Sequence, residues 1–201
     1  MVKSRHLWVA LAGLVVVPAT GGAAWAGPLD HAAYTKTLNC AACHGSAGNS
    51  KSDTMPILAG TSPAYFKKQI ESYAAGKRPS PEMEPYAKQA LQLGIDQIAD
   101  YFAKQKMEPT PIKASADAVQ RGRVAAGQCV ICHGQDGKGD PAKLIPSLAG
   151  QPPGYLREQM TLFKQDRRNP GDATLAAMKA LMKTIPDDAI ADLAAYYSSL
   201  R

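Results

Sequence analysis

Toward the end of the chain, Ile185, Ile190, Leu193, Ala194, Tyr197 and Leu200 recur mostly at steps of three and four residues. That spacing sets them on one face of a helix. Pro186-Asp187-Asp188 suits its start, where acidic side chains meet the positive end of the backbone dipole. Pro63 and Pro153 fit first helical turns in the same way, opening predicted helices through 65–73 and 155–164. Residues 116–128, ADAVQRGRVAAGQ, read as a further short helix. Loops containing Gly and Pro fill the remainder, and no stretch alternates apolar and polar residues as a strand would. The fold class is all-α.

The same pattern occurs twice. MPILAGTSPAYFKKQI (55–70) matches IPSLAGQPPGYLREQM (145–160), so that Leu58, Ala59, Gly60, Pro63, Tyr65 and Gln69 recur as Leu148, Ala149, Gly150, Pro153, Tyr155 and Gln159. KRP at 77–79 is echoed by RRNP at 167–170, and IADYF (98–102) by LAAYY (193–197). Self-similarity at this spacing means one module used twice. KMEPTPIKAS, 106–115, has two prolines and no apolar period, and reads as a linker. The modules then span 27–105 and 116–201, each large enough for a small core closed around a cofactor.

Residues 1–26 are different in kind. Lys3 and Arg5 precede an apolar run over 7–17, and the stretch closes on the small residues of Ala24-Trp25-Ala26. This is the layout of a secretory signal peptide. The apolar run is shorter than the about 20 residues that span a bilayer, and no later stretch is apolar enough to do so. The protein is expected to be exported, beginning after cleavage at residue 27.

Export sharpens the question raised by the cysteines. All four lie in CAACHG (40–45) and CVICHG (129–134). Two disulfides would be usual in an oxidising compartment, but a disulfide has no use for a following histidine. A structural zinc site could take two C-x-x-C pairs without requiring that each adjoin a His. A thioredoxin-like pair belongs in an α/β pattern, and strands are missing here. C-x-x-C-H is the attachment signature of c-type haem. Cys40 and Cys43, and likewise Cys129 and Cys132, would form thioethers to one porphyrin edge. His44 and His133 would then lie under the two irons. The expected cofactors are two covalently bound haem c groups.

A closed haem needs a sixth ligand. His31 is the one histidine beyond residue 26 outside the motifs, and no cysteine is spare. Two bis-histidine haems are thereby excluded, which leaves methionine. Met83 lies 18 residues before Tyr101, and Met178 lies 18 before the matched Tyr196. Met55 aligns with Ile145 and Met160 with Ile70, so neither is shared. Met182, one helical turn after Met178, is the local rival. His44, Met83, His133 and Met178 are the expected iron ligands. Thioether sulfur favours reduced iron and raises the potential relative to two imidazoles. A six-coordinate iron leaves no place for substrate.

On CAACHG and CVICHG, on LAG followed by PAYFKKQ or PGYLREQ, on the paired methionines and on IADYF and LAAYY, the chain resembles dihaem class I cytochromes c of the cytochrome c4 family. The resemblance covers nearly all of the chain beyond residue 26. It implies two tandem class I cytochrome c domains with their haems close across an interface, and a periplasmic electron carrier rather than an enzyme. The implied partners are a dehydrogenase or quinol-oxidising complex on one side and a terminal oxidase on the other. The dihaem subunit of flavocytochrome c sulfide dehydrogenase is similar, as are electron acceptors of thiosulfate-oxidising enzymes. An electron-accepting subunit bound to a dehydrogenase flavoprotein is therefore the alternative. A dihaem peroxidase would need an open iron, against the two methionines. One departure concerns the family's helix glycine seven residues before the first motif cysteine: Gly122 occupies it in the second copy, Ala33 in the first. The first leading helix is expected to pack less tightly or to be short. The spacing from histidine to methionine also differs, 39 residues against 45.

Charge adds little. Without Lys3 and Arg5 the formal +6 becomes +4, which haem propionates would offset. No concentrated basic run suggests nucleic acid. GQDGKGD (134–140) lacks the preceding strand of a phosphate loop and reads as a turn flanking the haem. His31 is expected to be solvated. Tyr65, Tyr155, Tyr73 and Phe163 are expected in a core, at a haem or at the interface. Arg78 and Arg168 would meet haem propionates or solvent.

Overall fold

The protein is described here by a computed structural model over residues 27–201; the expected signal segment, 1–26, lies outside the described residues. Nine α-helices are found among them: α1 Leu38–His44, α2 Pro63–Ala74, α3 Met83–Leu93, α4 Ile95–Ala103, α5 Ala116–Ala125, α6 Val130–His133, α7 Pro153–Lys164, α8 Ala176–Thr184 and α9 Asp187–Ser199. Extended pairing among the described residues is confined to one antiparallel bridge, Asp140 with Ile145. The all-α expectation holds.

Local chemistry sets these boundaries. Ser62 and Ser115 cap α2 and α5, their hydroxyls accepting from the backbone N–H of Tyr65 (3.4 Å) and Ala118 (3.3 Å). Pro63 and Pro153 occupy first turns, where the missing N–H costs nothing. Gly94, at φ +102°, turns the chain between α3 and α4 in a conformation that a side chain would strain.

Each half has its own apolar core, and the two cores use matched positions. Phe66, Ile70, Tyr73, Ile98, Ala99, Tyr101 and Phe102 pack together in the first half. Leu156, Met160, Phe163, Leu193, Ala194, Tyr196 and Tyr197 do so in the second. Fully burying one such large side chain contributes about 1.5–3 kcal/mol.

The halves differ most at their beginnings. In the second, α5 crosses α9 so closely that a Cβ on Gly122 would lie 1.9 Å from the Asp192 carbonyl oxygen. Arg121 and Asp192 form a two-pronged ion pair across the same crossing, at 2.7 and 2.8 Å. In the first half the corresponding chain is 3₁₀ in character, Pro28–Asp30 and Tyr34–Thr37, with Ala33 buried against α4's cluster. The leading element is indeed short where glycine is absent. His31 is not the solvated residue expected. Its Nε2 meets Asp100 Oδ2 at 3.0 Å, and its ring stands edge-on to Tyr101 at 5.4 Å. It pins the first residues of this half onto α4.

Hydrogen bonds join the two halves along a seam. The Tyr155 and Gly154 N–H groups donate to the Asp53 carbonyl (2.9 Å) and carboxylate (2.8 Å), and Thr110 N–H donates to the Gly150 carbonyl (2.8 Å). Asn169 donates its backbone N–H to Lys77 O (2.6 Å) and its side-chain amide to Ser72 Oγ (3.0 Å).

Candidate functional site

Both C-x-x-C-H sequences sit on short helices that end at their histidine. Cys40, Cys43 and His44 belong to α1; Cys129 caps α6, which carries Cys132 and His133. A spacing of three puts both thiols of a pair on one helical face. Each helix stops because a glycine follows in a positive-φ conformation, Gly45 at +77° and Gly134 at +76°. A Cβ at Gly45 would lie 2.5 Å from the Asn49 carbonyl oxygen. None of the four cysteines is in a disulfide; Cys43 and Cys132 are exposed, Cys40 and Cys129 partly buried. Burial pushes the Cys40 and Cys129 thiols above their ordinary range.

The histidines are held in one tautomer. The Nδ1–H of His44 donates to the Pro56 carbonyl at 2.8 Å, and that of His133 to the Pro146 carbonyl at 3.0 Å. A carbonyl only accepts, so the ring proton resides on Nδ1. Burial lowers both imidazole pKa values, keeping the rings neutral with a lone pair on Nε2. The Nε2 of His44 is buried and has no hydrogen-bond partner. A buried, unpaired lone pair beside two free thiols fits a covalently attached porphyrin iron, for which a carbonyl-oriented imidazole is an ordinary ligand arrangement. Among the described residues no three His, Cys, Asp or Glu side chains converge as a zinc site would need.

The loops after the motifs also repeat. The Gly48 carbonyl accepts from the N–H groups of Leu58 and Ala59, and the Gly137 carbonyl from those of Leu148 and Ala149. The Gly60 N–H reaches Phe102 O (2.8 Å), and the Gly150 N–H reaches Tyr197 O (2.9 Å). GQDGKGD is part of this turn, closing back on His133 through Gly139 N–H at 2.8 Å. Tyr197 lies 6.5 Å from the His133 ring, where the first half has Phe102.

Met83 opens α3, partly buried against the first core. Met178 is on α8, partly buried against the second. Met182, one turn on, is only 2% exposed and belongs to the core itself.

Of the two expectations for Arg78 and Arg168, the solvated one does not hold. They lie 3% and 5% exposed in the seam. Arg78 donates to Gln69 (2.9 Å), Gln159 (2.8 Å) and the Tyr155 hydroxyl (3.0 Å). Arg168 donates to Gln159 (2.9 Å), Gln69 (2.9 Å) and the Tyr65 hydroxyl (3.0 Å). The guanidinium groups stack on Tyr73 and Phe163, each 4.4 Å from the ring centre. These aromatic residues thus belong to the interface as well as the core. Sequence reasoning passed over Gln151 and Asp53 altogether; the one clue was Gln151 standing where the first copy has Thr61.

A family model described as Cytochrome c matches residues 119–201. Cytochrome c4 of Pseudomonas aeruginosa is 32% identical over 177 residues, covering 84% of this chain and 87% of that protein. A thiosulfate dehydrogenase electron acceptor of Stutzerimonas stutzeri is 30% identical, over 81% of this chain and 79% of its own. The crystal structure of reduced recombinant cytochrome c4 from Pseudomonas stutzeri superposes with a TM-score of 0.74 at 28% identity, covering 83% of this chain and 96% of that one. Two helical cores, each with a C-x-x-C-H helix and a buried neutral imidazole, define a dihaem c-type cytochrome. The chain belongs to the cytochrome c4 family. It is an electron-transfer protein with two covalently bound haem c groups, not an enzyme. No helix among the described residues is long and apolar enough to cross a membrane.

Proposed function

We propose that this protein carries electrons in the periplasm, through one haem ligated by His44 and Met83 and a second ligated by His133 and Met178. Cys40 and Cys43 attach the first, Cys129 and Cys132 the second. The modules are 27–105 and 116–201, joined by 106–115, and 1–26 directs export and is removed. The carrying observation is the unpartnered, buried Nε2 of His44, in the tautomer that leaves its lone pair free.

When bound, haem c supplies a reversible one-electron couple. The chain's part is to hold that couple still. Each imidazole is oriented by a proline carbonyl, and the turns after each motif are fixed by paired backbone bonds. Little then needs to rearrange on electron transfer. Burial of the two cores keeps water away and favours the less charged, reduced state. The exposures of the methionines favour Met178 over Met182: a sulfur meant for a cofactor is left partly open by the protein's own atoms, whereas Met182 is already packed. Donors are dehydrogenases or quinol-oxidising complexes, and the acceptor is a terminal oxidase. The similarity to a thiosulfate dehydrogenase electron acceptor favours, as a second reading, a subunit of a periplasmic dehydrogenase.

Replacing Met83 or Met178 singly by leucine tests the ligands. Each variant should lose part of the weak far-red absorption of sulfur-ligated ferric haem and lower one midpoint potential, while Met182→Leu keeps both. Unchanged spectra in both variants would refute the assignment. Affinity capture from periplasm, with mass spectrometry of what co-purifies, separates a free carrier from a dehydrogenase subunit.

A further inference from the structure

The aromatic residue packed on each haem turn is matched between the halves, apart from one oxygen. Phe102 and Tyr197 lie at corresponding places near the ends of α4 and α9, and they are 1% and 0% exposed. Each ring rests on a glycine of its own turn: a Cβ on Gly48 would come within 2.8 Å of the Phe102 ring, and one on Gly137 within 3.2 Å of the Tyr197 ring. Each backbone carbonyl accepts from a second glycine, Gly60 or Gly150. The scaffold is thus the same in both halves, and the phenol hydroxyl is the difference.

That hydroxyl is buried and meets no hydrogen-bond partner of ordinary geometry. A buried polar group left so is costly and uncommon. The group that bears on it is the Cys129 thiol, which stands in here for the sulfur of a thioether. Burial and the neighbouring Cys129 push the Tyr197 phenol above its ordinary range, so it keeps its proton and remains a donor. At Cys129 the phenol in turn opposes the effect of burial. The matched Cys40 is acted on by burial, its own backbone and Cys43, with no phenol among its neighbours.

We infer that the Tyr197 hydroxyl donates a hydrogen bond to the sulfur of Cys129 once that sulfur is a thioether, and that this bond sets the second haem apart from the first. A thioether sulfur has no proton of its own and can only accept. A donor aimed at it draws electron density away from the porphyrin edge, which favours reduced iron and raises the potential. Tyr197 is thus a positioning residue, acting through Cys129 rather than on the iron. The inference rests on the haem reading given above.

The test uses the holoprotein. Two haem masses on the purified chain and a c-type spectrum establish the cofactors independently, so a failure there is a failure of the haem reading alone. Tyr197→Phe removes one oxygen and gives the second half the residue of the first. One midpoint potential should fall while the other holds, and the resonance Raman carbon–sulfur stretching bands of one haem should shift. Tyr196→Phe, which removes the neighbouring phenol, should leave potentials and bands in place. In the parent, transfer to deuterated water should move the same carbon–sulfur bands, and Tyr197→Phe should lose that isotope shift. Unchanged potentials and bands in Tyr197→Phe would overturn the inference whichever way the melting temperature moves: a rise marks a hydroxyl that was unpaired, a fall marks one bonded to some other group. An isotope shift that survives in Tyr197→Phe, or a potential lowered as far by Tyr196→Phe, would overturn it as well.

Discussion

Gln151→Ala should weaken both the fold and the first haem site, by a route that crosses the seam. Gln151 is 8% exposed and grips the backbone of one residue of the other half: its Oε1 accepts from Ile57 N–H at 2.9 Å and its Nε2 donates to Ile57 O at 2.9 Å. Ile57 is 1% exposed, so no solvent waits to replace either bond. Leaving a buried donor or acceptor unpaired costs about 1–3 kcal/mol. With two such groups, and some relaxation toward water, the expected loss is about 3 kcal/mol. In a chain of this length that lowers the melting temperature by about 6–12 °C. The neighbouring Pro56 carbonyl is the group that orients His44. Loosening it weakens the hydrogen bond to Nδ1 and makes the imidazole a poorer donor, so the first haem's potential should rise while the second stays put. Guanidinium titration followed by far-UV circular dichroism, with spectroelectrochemistry of each haem, reads both effects. Gln151→Glu should lose as much, since a carboxylate cannot donate to Ile57 O. A loss below about 1 kcal/mol, or equal shifts at both haems, would show that the grip on Ile57 does not position His44.

Two further outcomes follow from packing and burial. Gly122→Ala sets a Cβ 1.9 Å from Asp192 O and 2.5 Å from its carbonyl carbon, atoms of backbone that cannot swing aside; overpacking of about 1–3 kcal/mol or more exceeds the about 1 kcal/mol gained in helix propensity, so thermal unfolding should come earlier, and a variant as stable as the parent would contradict the close crossing. Burial pushes the Tyr73 phenol up to about 12, against the opposing charge of Arg78. A folded-state value above the ordinary tyrosine value near 10 means the contribution is intact below pH 10 and is lost as pH rises toward 12, by about 3 kcal/mol. Tyr73→Phe, which reproduces the matched Phe163, should flatten that alkaline loss in pH-dependent unfolding.

What the sequence makes legible is what repeats. The paired C-x-x-C-H sequences, the proline-led helices α2 and α7 and the aromatic ends of α4 and α9 each occur twice, and a pattern seen twice is hard to mistake. The glycine difference, Gly122 against Ala33, correctly marks the half whose leading element is short, because only a residue without Cβ allows the α5–α9 crossing. The seam was not legible, for a physical reason: the side-chain bonds of its arginine cluster that cross between the halves join residues 77 to 103 positions apart and involve side-chain types that look ordinary on any surface. Arginine in particular reads as solvated or anion-bound from sequence, since its burial depends on tyrosine and glutamine partners supplied by the other half. His31 misleads in the same way, its partner Asp100 lying 69 residues on.

The two halves share a C-x-x-C-H helix with a carbonyl-oriented histidine and the arginine cluster at the seam, so a difference between their haems is expected to come from positions where the repeat is broken. The cluster takes one arginine, one glutamine and one tyrosine from each half. The peptide that orients each histidine is secured differently. Beyond Pro146, the matched Ser147 is held within its own half, its hydroxyl donating to Gly137 O at 3.4 Å, and before it Ile145 exchanges backbone bonds with Asp140 at 3.0 and 2.9 Å. Beside Pro56, Ile57 is held by Gln151 from the opposite half, and the matched Thr61 has no amide with which to return the grip. The first site therefore depends on docking and the second does not. A disturbance confined to the Gln151–Ile57 contact, whether by mutation or by a partner wedged against it, should shift the first haem's potential selectively and change the driving force for transfer between the two.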